Sequence, residues 1–271
     1  MRSPRFALSF PRRLAHSPGD DFKTPGAMVK ILLMAGTYEA RLLAKRLDAL
    51  PGVDLMVSLA AATATHGEIA GKVRRGGFGG EAAQAAFMDD AGVAAVIDAT
   101  HPFAAAISVR TQKIAARLGV PYVQVLRPAW RAGTGDDWRM IGSFDEVRAA
   151  VTGASTVLLA TGPGAVERIG RLPVGRVICR RIDPTREAYP HDNGEWQVAR
   201  PPFAVADEVA LFQKEGVDMI VAKNSGGAGG RAKLTAAREL GLPVVMVARS
   251  AQPPGAKVET VEAALDWVAV L

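Results

Sequence analysis

One feature limits the possible folds more than any other: from Val29 onward, apolar runs of strand character alternate with amphipathic stretches of helical period. "VKILLMAG" is followed by "TYEARLLAKRLDAL", in which Leu42, Leu43, Leu47 and Leu50 mark one helical face. "VDLMVSLAA" reads as the next strand, and the loop "RRGGFGG" and helix "EAAQAAFMDDAG" lead into a third, "VAAVIDAT". A helix, "PFAAAISVRTQKIAARLG", then returns to the strand "VPYVQVLRP". Strands recur at "TVLLATG", "RVICRR", "VDMIVAK" and "PVVMVAR", with helices near 144–151, 204–215, 231–240 and 259–270. Connections this short impose right-handed crossovers, so the pattern predicts an α/β protein with mainly parallel sheets covered by helices.

The rhythm breaks once, at "AWRAGTGDDW", which is rich in Gly, Asp and Trp. A domain boundary there divides the 271 residues into 28–142 and 143–271. The two parts are related: "IAARLGVPYVQVLRPA" at 114–129 is close to "TAARELGLPVVMVARSA" at 235–251. Each follows a strand, a polar turn and a helix start, so equivalent strand ends carry "DATHPFA" in the first part and "AKNSGGAGG" in the second. Residues 1–27 hold arginines and serines but no secretory apolar core, and are expected to be a disordered N-terminal extension, with Met28 opening the folded part.

Composition serves mainly to exclude. The formal charge of +6 is half contributed by residues 1–27, and no basic run interleaved with aromatics follows, so no nucleic-acid partner is expected. Apolar runs of roughly 5 to 9 residues fall far short of a membrane span, and a cytoplasmic protein is expected. One cysteine, Cys179, permits no internal disulfide, and His16, His66, His101 and His191 show no zinc-type spacing, so no metal is expected. Cys179 in "VICRR" reads as core filler. Tyr38, Tyr122 and Tyr189 are followed four residues on by Leu42, Leu126 and Asn193, not by the lysine of short-chain dehydrogenases. Gly-x-Ser-x-Gly and the Gly-x4-Gly-Lys-Ser phosphate loop are also missing.

In parallel sheets, ligands collect beyond the carboxyl ends of strands. Gly36 and Thr37 form a turn that either faces a phosphate or simply caps the following helix. In "DATHPFA", Pro102 suits a first helical position and holds His101 extended, with Thr100 beside it at the lip of the sheet. His101 either moves a proton, grips a carboxylate or serves as a capping neighbour, and Asp98 either transfers a proton or caps the loop. Lys223, Asn224, Ser225 and Gly226 suit a pyrophosphate or a carboxylate, or form a plain glycine-rich turn. Two matches to the dinucleotide fingerprint occur, Gly77 to Ala82 and Gly227 to Ala232, of which only the second follows a predicted strand and opens a helix. Neither has an acidic residue about twenty positions on, which favours a phosphorylated ribose.

Taken in order, "MAGTYEARLLA", "GGFGG", "VIDATHPFAAAIS", "LRPAW", "PPFAVADEVALF", "IVAKNSGGAGGRAK" and "AARELGLPVVMVAR" resemble the precorrin-6A and cobalt-precorrin-6A reductase family of cobalamin biosynthesis. The resemblance spans Val29 to Arg249, with Ala35 standing where relatives often have a second glycine. It implies two Rossmann-like domains with a cleft between them, and NADPH-dependent reduction of one double bond of precorrin-6A to precorrin-6B. The rival substrate is the cobalt-bearing ring of the anaerobic branch; the rival class is a non-catalytic two-lobed anion binder. On this reading Gly36, Thr37, Arg41, Thr100 and Pro102 hold the cofactor, and Lys223, Asn224, Ser225 and Gly226 hold phosphate or substrate carboxylate. Asp98 and His101 are the candidates for supplying the proton. Arg127, Arg131, Arg180, Arg181 and Arg186 are candidates for meeting the acetate and propionate arms of the tetrapyrrole.

Overall fold

The structure, a computed structural model, describes residues 28–60 and 68–271; the N-terminal extension expected over 1–27, and His66, lie outside the described residues. Two six-stranded sheets are present, and every ladder among the described residues is parallel. The alternation of apolar runs and helices is therefore realised as an α/β fold of Rossmann-like type.

The first sheet contains β1 (Val29–Ala35), β2 (Val53–Leu59), β3 (Lys72–Arg75), β4 (Ala95–Ala99), β5 (Tyr122–Val125) and β12 (Ala256–Val258), in the spatial order β12-β5-β4-β1-β2-β3. Successive β1 residues point to opposite faces. Ile31 and Leu33 pack with Ala40, Leu43 and Leu47 of α1 (Tyr38–Asp48) and with Val261 and Ala264 of α8 (Val261–Val268). Leu32 and Met34 pack on the other face, with Met88 of α2 (Glu81–Asp90) and Ile114 of α3 (Ala105–Leu118).

The second sheet repeats the plan with β6 (Trp138–Ile141), β7 (Thr156–Ala160), β8 (Arg176–Arg181), β9 (Gly194–Val198), β10 (Met219–Lys223) and β11 (Val244–Val247), ordered β6-β11-β10-β7-β8-β9. Val157, Leu159 and Val221 face α4 (Val147–Ala150) and α5 (Val166–Ile169). Leu158, Ile220 and Ala222 face α6 (Val205–Glu215) and α7 (Ala232–Glu239). Cys179 is a buried free thiol in the first of these cores, where burial pushes it up to about 12.

The similar segments at 114–129 and 235–251 occupy equivalent places, since α3 leads to β5 as α7 leads to β11. The expected division at 142/143 is not the one observed. After β5 the chain joins the second sheet with β6 on β11, and after β11 it returns to the first with β12 on β5. One compact unit comprises the described residues up to Thr100, Ala106–Val125 and Pro253–Leu271; the other comprises His101–Ala105 and Leu126–Gln252.

Candidate functional site

In each unit the strand order reverses at one point, and that is where an open parallel sheet offers its crevice. In the first unit the reversal lies between β1 and β4; Gly36-Thr37 follows the first, and the second ends in Asp98-Ala99 with Thr100 directly after it. Thr37 is extended and caps α1: its Oγ1 accepts from Ala40 N–H at 3.2 Å and donates to Ala99 O at 2.9 Å. The hydroxyl proton is thus committed to the neighbouring strand end, which leaves the backbone N–H groups of the first turn as the anion-seeking feature. Arg41 lies one turn along α1 and donates to Glu68 O. Thr100 shares a hydrogen bond with Ser108 on α3 at 3.0 Å.

Asp98 does not fit the proton-transfer role considered for it. It is fully buried, with Oδ1 accepting from Thr100 N–H at 3.0 Å and Oδ2 from the Tyr122 hydroxyl at 2.6 Å. Burial and then the Asp98 charge push the Tyr122 phenol well above its ordinary value, so that hydroxyl stays a donor. Both carboxylate oxygens are used in tying β4 to its loop and to β5. The helix also starts later than proline suggested: α3 begins at Ala105, and residues 101–104 form a turn closed by Ala104 N–H to His101 O. That turn belongs to the second unit, while Thr100 belongs to the first; Pro102 is buried and its carbonyl accepts from Gln252.

In the second unit the reversal lies between β7 and β10. Lys223 ends β10, and its ammonium stands 5.6 Å from the centre of the Phe103 ring. Among the described residues no carboxylate or hydrogen-bond acceptor lies within bonding distance of that ammonium. Burial holds Lys223 below the ordinary lysine value. His101 is pushed down to about 3, first by burial and then by the charges of Lys223, Arg127 and Arg249. Its Nδ1 accepts from Phe103 N–H at 3.2 Å, so the neutral ring carries its proton on Nε2. Arg127 donates to Ser225 O at 3.2 and 3.3 Å, and Arg249 to Asn224 O and Arg127 O, both at 2.7 Å. One terminal nitrogen of Arg249 is buried without a partner among the described residues.

The four residues of "KNSG" divide in function. Asn224 is buried, accepting from Trp130 N–H at 2.8 Å and donating to Trp130 O at 3.0 Å; it fastens two loops and presents no amide to a ligand. Gly226 has φ +68°, and a Cβ there would stand 2.1 Å from Pro128 O, so glycine is needed for the close approach. Of these four, Lys223 and Ser225 keep side-chain donors without a partner among the described residues.

Of the other arginines, Arg180 is removed from consideration: it forms a buried two-point pair with Glu208 at 2.7 Å for each bond. Arg181 donates to Asp183 O and stacks 5.0 Å from Trp196, while Arg186 is exposed. Arg131 lines a surface hollow of about 640 Å³ with Trp130, Gly227 and Arg231. The fingerprint-like "GFGGEA" does follow a strand, β3, and opens α2, contrary to expectation, but its loop carbonyls at Gly76 and Gly77 are turned to Arg74. Thr161 directly follows β7 and is absent from the sequence candidates; the visible signal is a Thr/Gly pair after a strand-ending alanine, Ala160-Thr161-Gly162 at β7 against Ala35-Gly36-Thr37 at β1, with the two residues in reverse order.

Among the described residues no cluster of three or more His, Cys, Asp or Glu could hold a metal ion, and no helix is long and apolar enough to cross a membrane. Residues 30–269 match the family described as "Precorrin-6x reductase CbiJ/CobK". The chain belongs to the precorrin-6x reductase family. Precorrin-6A reductase of Rhodococcus erythropolis is 39% identical over 246 residues, covering 90% of this chain and 99% of the relative. The enzyme of that name from Rhodobacter capsulatus is 37% identical, with 89% and 96% covered. Cobalt-precorrin-6A reductase of Priestia megaterium is 30% identical over 81% of this chain and 90% of its own length. A solved structure, "CobK precorrin-6A reductase", superposes with a TM-score of 0.83 at 35% identity, covering 90% of this chain and 97% of the other. The family found is the one that the strand-end motifs resemble, and it makes this chain a reductase of cobalamin biosynthesis.

Proposed function

We propose that this reductase uses NADPH to reduce one double bond of precorrin-6A, giving precorrin-6B, in the cytoplasm. The observation that carries the reading is the group of three cations, Lys223, Arg127 and Arg249, whose charges converge on His101. The Lys223 ammonium has no carboxylate within bonding distance among the described residues, which leaves its balancing charge for a ligand to supply. A macrocycle bearing acetate and propionate arms supplies it. NADPH, when bound, supplies the hydride. In the first unit Gly36 and Thr37 would hold its pyrophosphate at the start of α1, an eleven-residue helix with a β-region cap, with Arg41 and Thr100 nearby. After β2, where such folds read the ribose, the chain beyond Ala60 is residues 61–67, outside those described.

Lys223 and the Ser225 hydroxyl are the donors assigned to the substrate arms. His101, neutral at pH 7, binds as an Nε2–H donor and is not a store of acid protons. The metal-free ring is favoured over the cobalt form because the relatives named for it are 37–39% identical, against 26–30% for those named for cobalt-precorrin-6A. Purified protein mixed with either ring and either NADPH or NADH is followed by loss of the reduced nicotinamide's absorbance. Fastest consumption is expected with precorrin-6A and NADPH; no consumption in any of the four mixtures would overturn the reading.

A further inference from the structure

At the strand reversal of the second unit sits a group that neither the motifs nor the family comparison assigns. Thr161 follows β7 and is 2% exposed, yet its hydroxyl has no hydrogen-bond partner among the described residues. A buried hydroxyl left unpaired costs free energy that a nearby ligand oxygen can recover. Its neighbourhood follows from the register. Ala160 of β7 pairs with Ala222 of β10, so Thr161 and Lys223 are the next positions of the two adjoining strands. Val157, Leu159 and Val221 lie in one core, and the alternation of a strand carries Thr161 and Lys223 onto that same face. Phe103 packs on that core and stands beneath the Lys223 ammonium, which places Lys223 there independently.

We propose that the Thr161 hydroxyl and the Lys223 ammonium together form a subsite for one carboxylate arm of the substrate, with Phe103 as its apolar floor. The proposal rests on the precorrin-6A reading and names a residue for it. A carboxylate is favoured over a nucleotide phosphate by the backbone that follows. β7 leads into a single 3-10 turn, Pro163–Ala165, and the four-residue α5, neither of which offers the aligned N–H groups of a long helix. Lys223 supplies the opposite charge, and Thr161 supplies a directional donor that accepts one orientation of the carboxylate.

Thr161→Val keeps the shape and removes the hydroxyl; Thr161→Ser keeps the hydroxyl. Binding of precorrin-6A and of NADPH is titrated separately with wild type, both variants and Lys223→Met, together with the thermal midpoint of each. The expected result is a precorrin-6A Kd raised about 10-fold or more in Thr161→Val and in Lys223→Met. Recovery is expected in Thr161→Ser, with an unchanged NADPH Kd and an unchanged or raised midpoint in Thr161→Val. The double variant is expected to lose less than the product of the two single losses, because both groups hold one carboxylate. An unchanged precorrin-6A Kd in Thr161→Val overturns the subsite, and so does a loss confined to NADPH. A lowered midpoint with unchanged binding also overturns it, assigning the hydroxyl to the fold. If wild type itself fails to bind precorrin-6A, the functional reading falls and the subsite falls with it; if only Thr161→Val binds like wild type, the functional reading stands without this residue.

Discussion

His101 shows how burial decides what a residue can do. Its type and place, at a strand end in "DATHPFA", are legible in the sequence, but its protonation is not. That depends on Lys223, Arg127 and Arg249, brought together only by folding. The same holds for Asn224, whose partner Trp130 lies 94 positions away, and for Asp98, whose oxygens go to Thr100 and Tyr122. Local sequence marks a polar strand end without telling a ligand donor from a loop fastener. The neutral imidazole has a consequence for stability. With a folded value of about 3 against an ordinary 6.5, the unfolded chain binds a proton between these values that the folded chain refuses. Stability contributed by the neutral ring is therefore complete above about pH 6.5 and is lost as the pH falls towards 3. His101→Gln lacks this dependence. Urea unfolding at pH 7 and pH 4 is expected to show wild type losing on the order of 3 kcal/mol more than the variant over that interval. Equal losses would show that the surroundings do not hold the ring neutral.

At the level of elements, the strands recognised from sequence are the interior ones, and those missed are β3, β6, β9 and β12. These four are the outer strands of the two sheets. An edge strand has one neighbour and much of its surface in water, so it needs no apolar run: "KVRR" and "GEWQV" have no buried residue, and "WRMI" buries only Ile141. Interior strands such as β4 and β11 are buried throughout, and their apolar runs, unbroken in β11 and interrupted in β4 only by Asp98, announce them. The α1 start is legible for a different reason, since a threonine before a helical face is a strong local cap signal. The structure adds a tie that sequence could not show, from Thr37 Oγ1 to Ala99 O on a strand 62 positions away. Thr37→Ala removes both the cap and the tie, and a destabilisation of about 1–2 kcal/mol is expected by urea titration, most of it restored in Thr37→Ser. A Thr37→Ala protein as stable as wild type would show that the cap carries no weight in holding α1 to β4.

For the molecule as a whole, the reach of the sequence ends at connectivity. A repeat of strand, turn and helix reveals two related halves, and a Gly/Asp/Trp-rich break suggests where one stops. Nothing local to "AKV" at Ala256–Val258 says that it completes a sheet begun more than 200 residues earlier. Each half lacks its sixth strand until the chain supplies it from elsewhere: β6 leaves the neighbourhood of β5 to pair with β11, and β12 leaves β11 to pair with β5. The final segment also carries α8, whose Val261 and Ala264 are buried against α1, with Leu265, Trp267 and Val268 packed beside them. Burying side chains of this size contributes roughly 1.5–3 kcal/mol each for the larger ones, a sum comparable to the whole stability of a domain. A chain ending at Gln252 is therefore expected to lose the first unit's order while keeping the second's. Hydrogen exchange resolved by peptide is the decisive measurement. Protection should fall in β5, β4 and α1, with β7 and β10 retaining theirs, since the second sheet keeps all six of its strands. Full protection of α1 in that shortened chain would mean that the first sheet needs neither β12 nor α8, and that the division at residue 142 describes the folding unit after all.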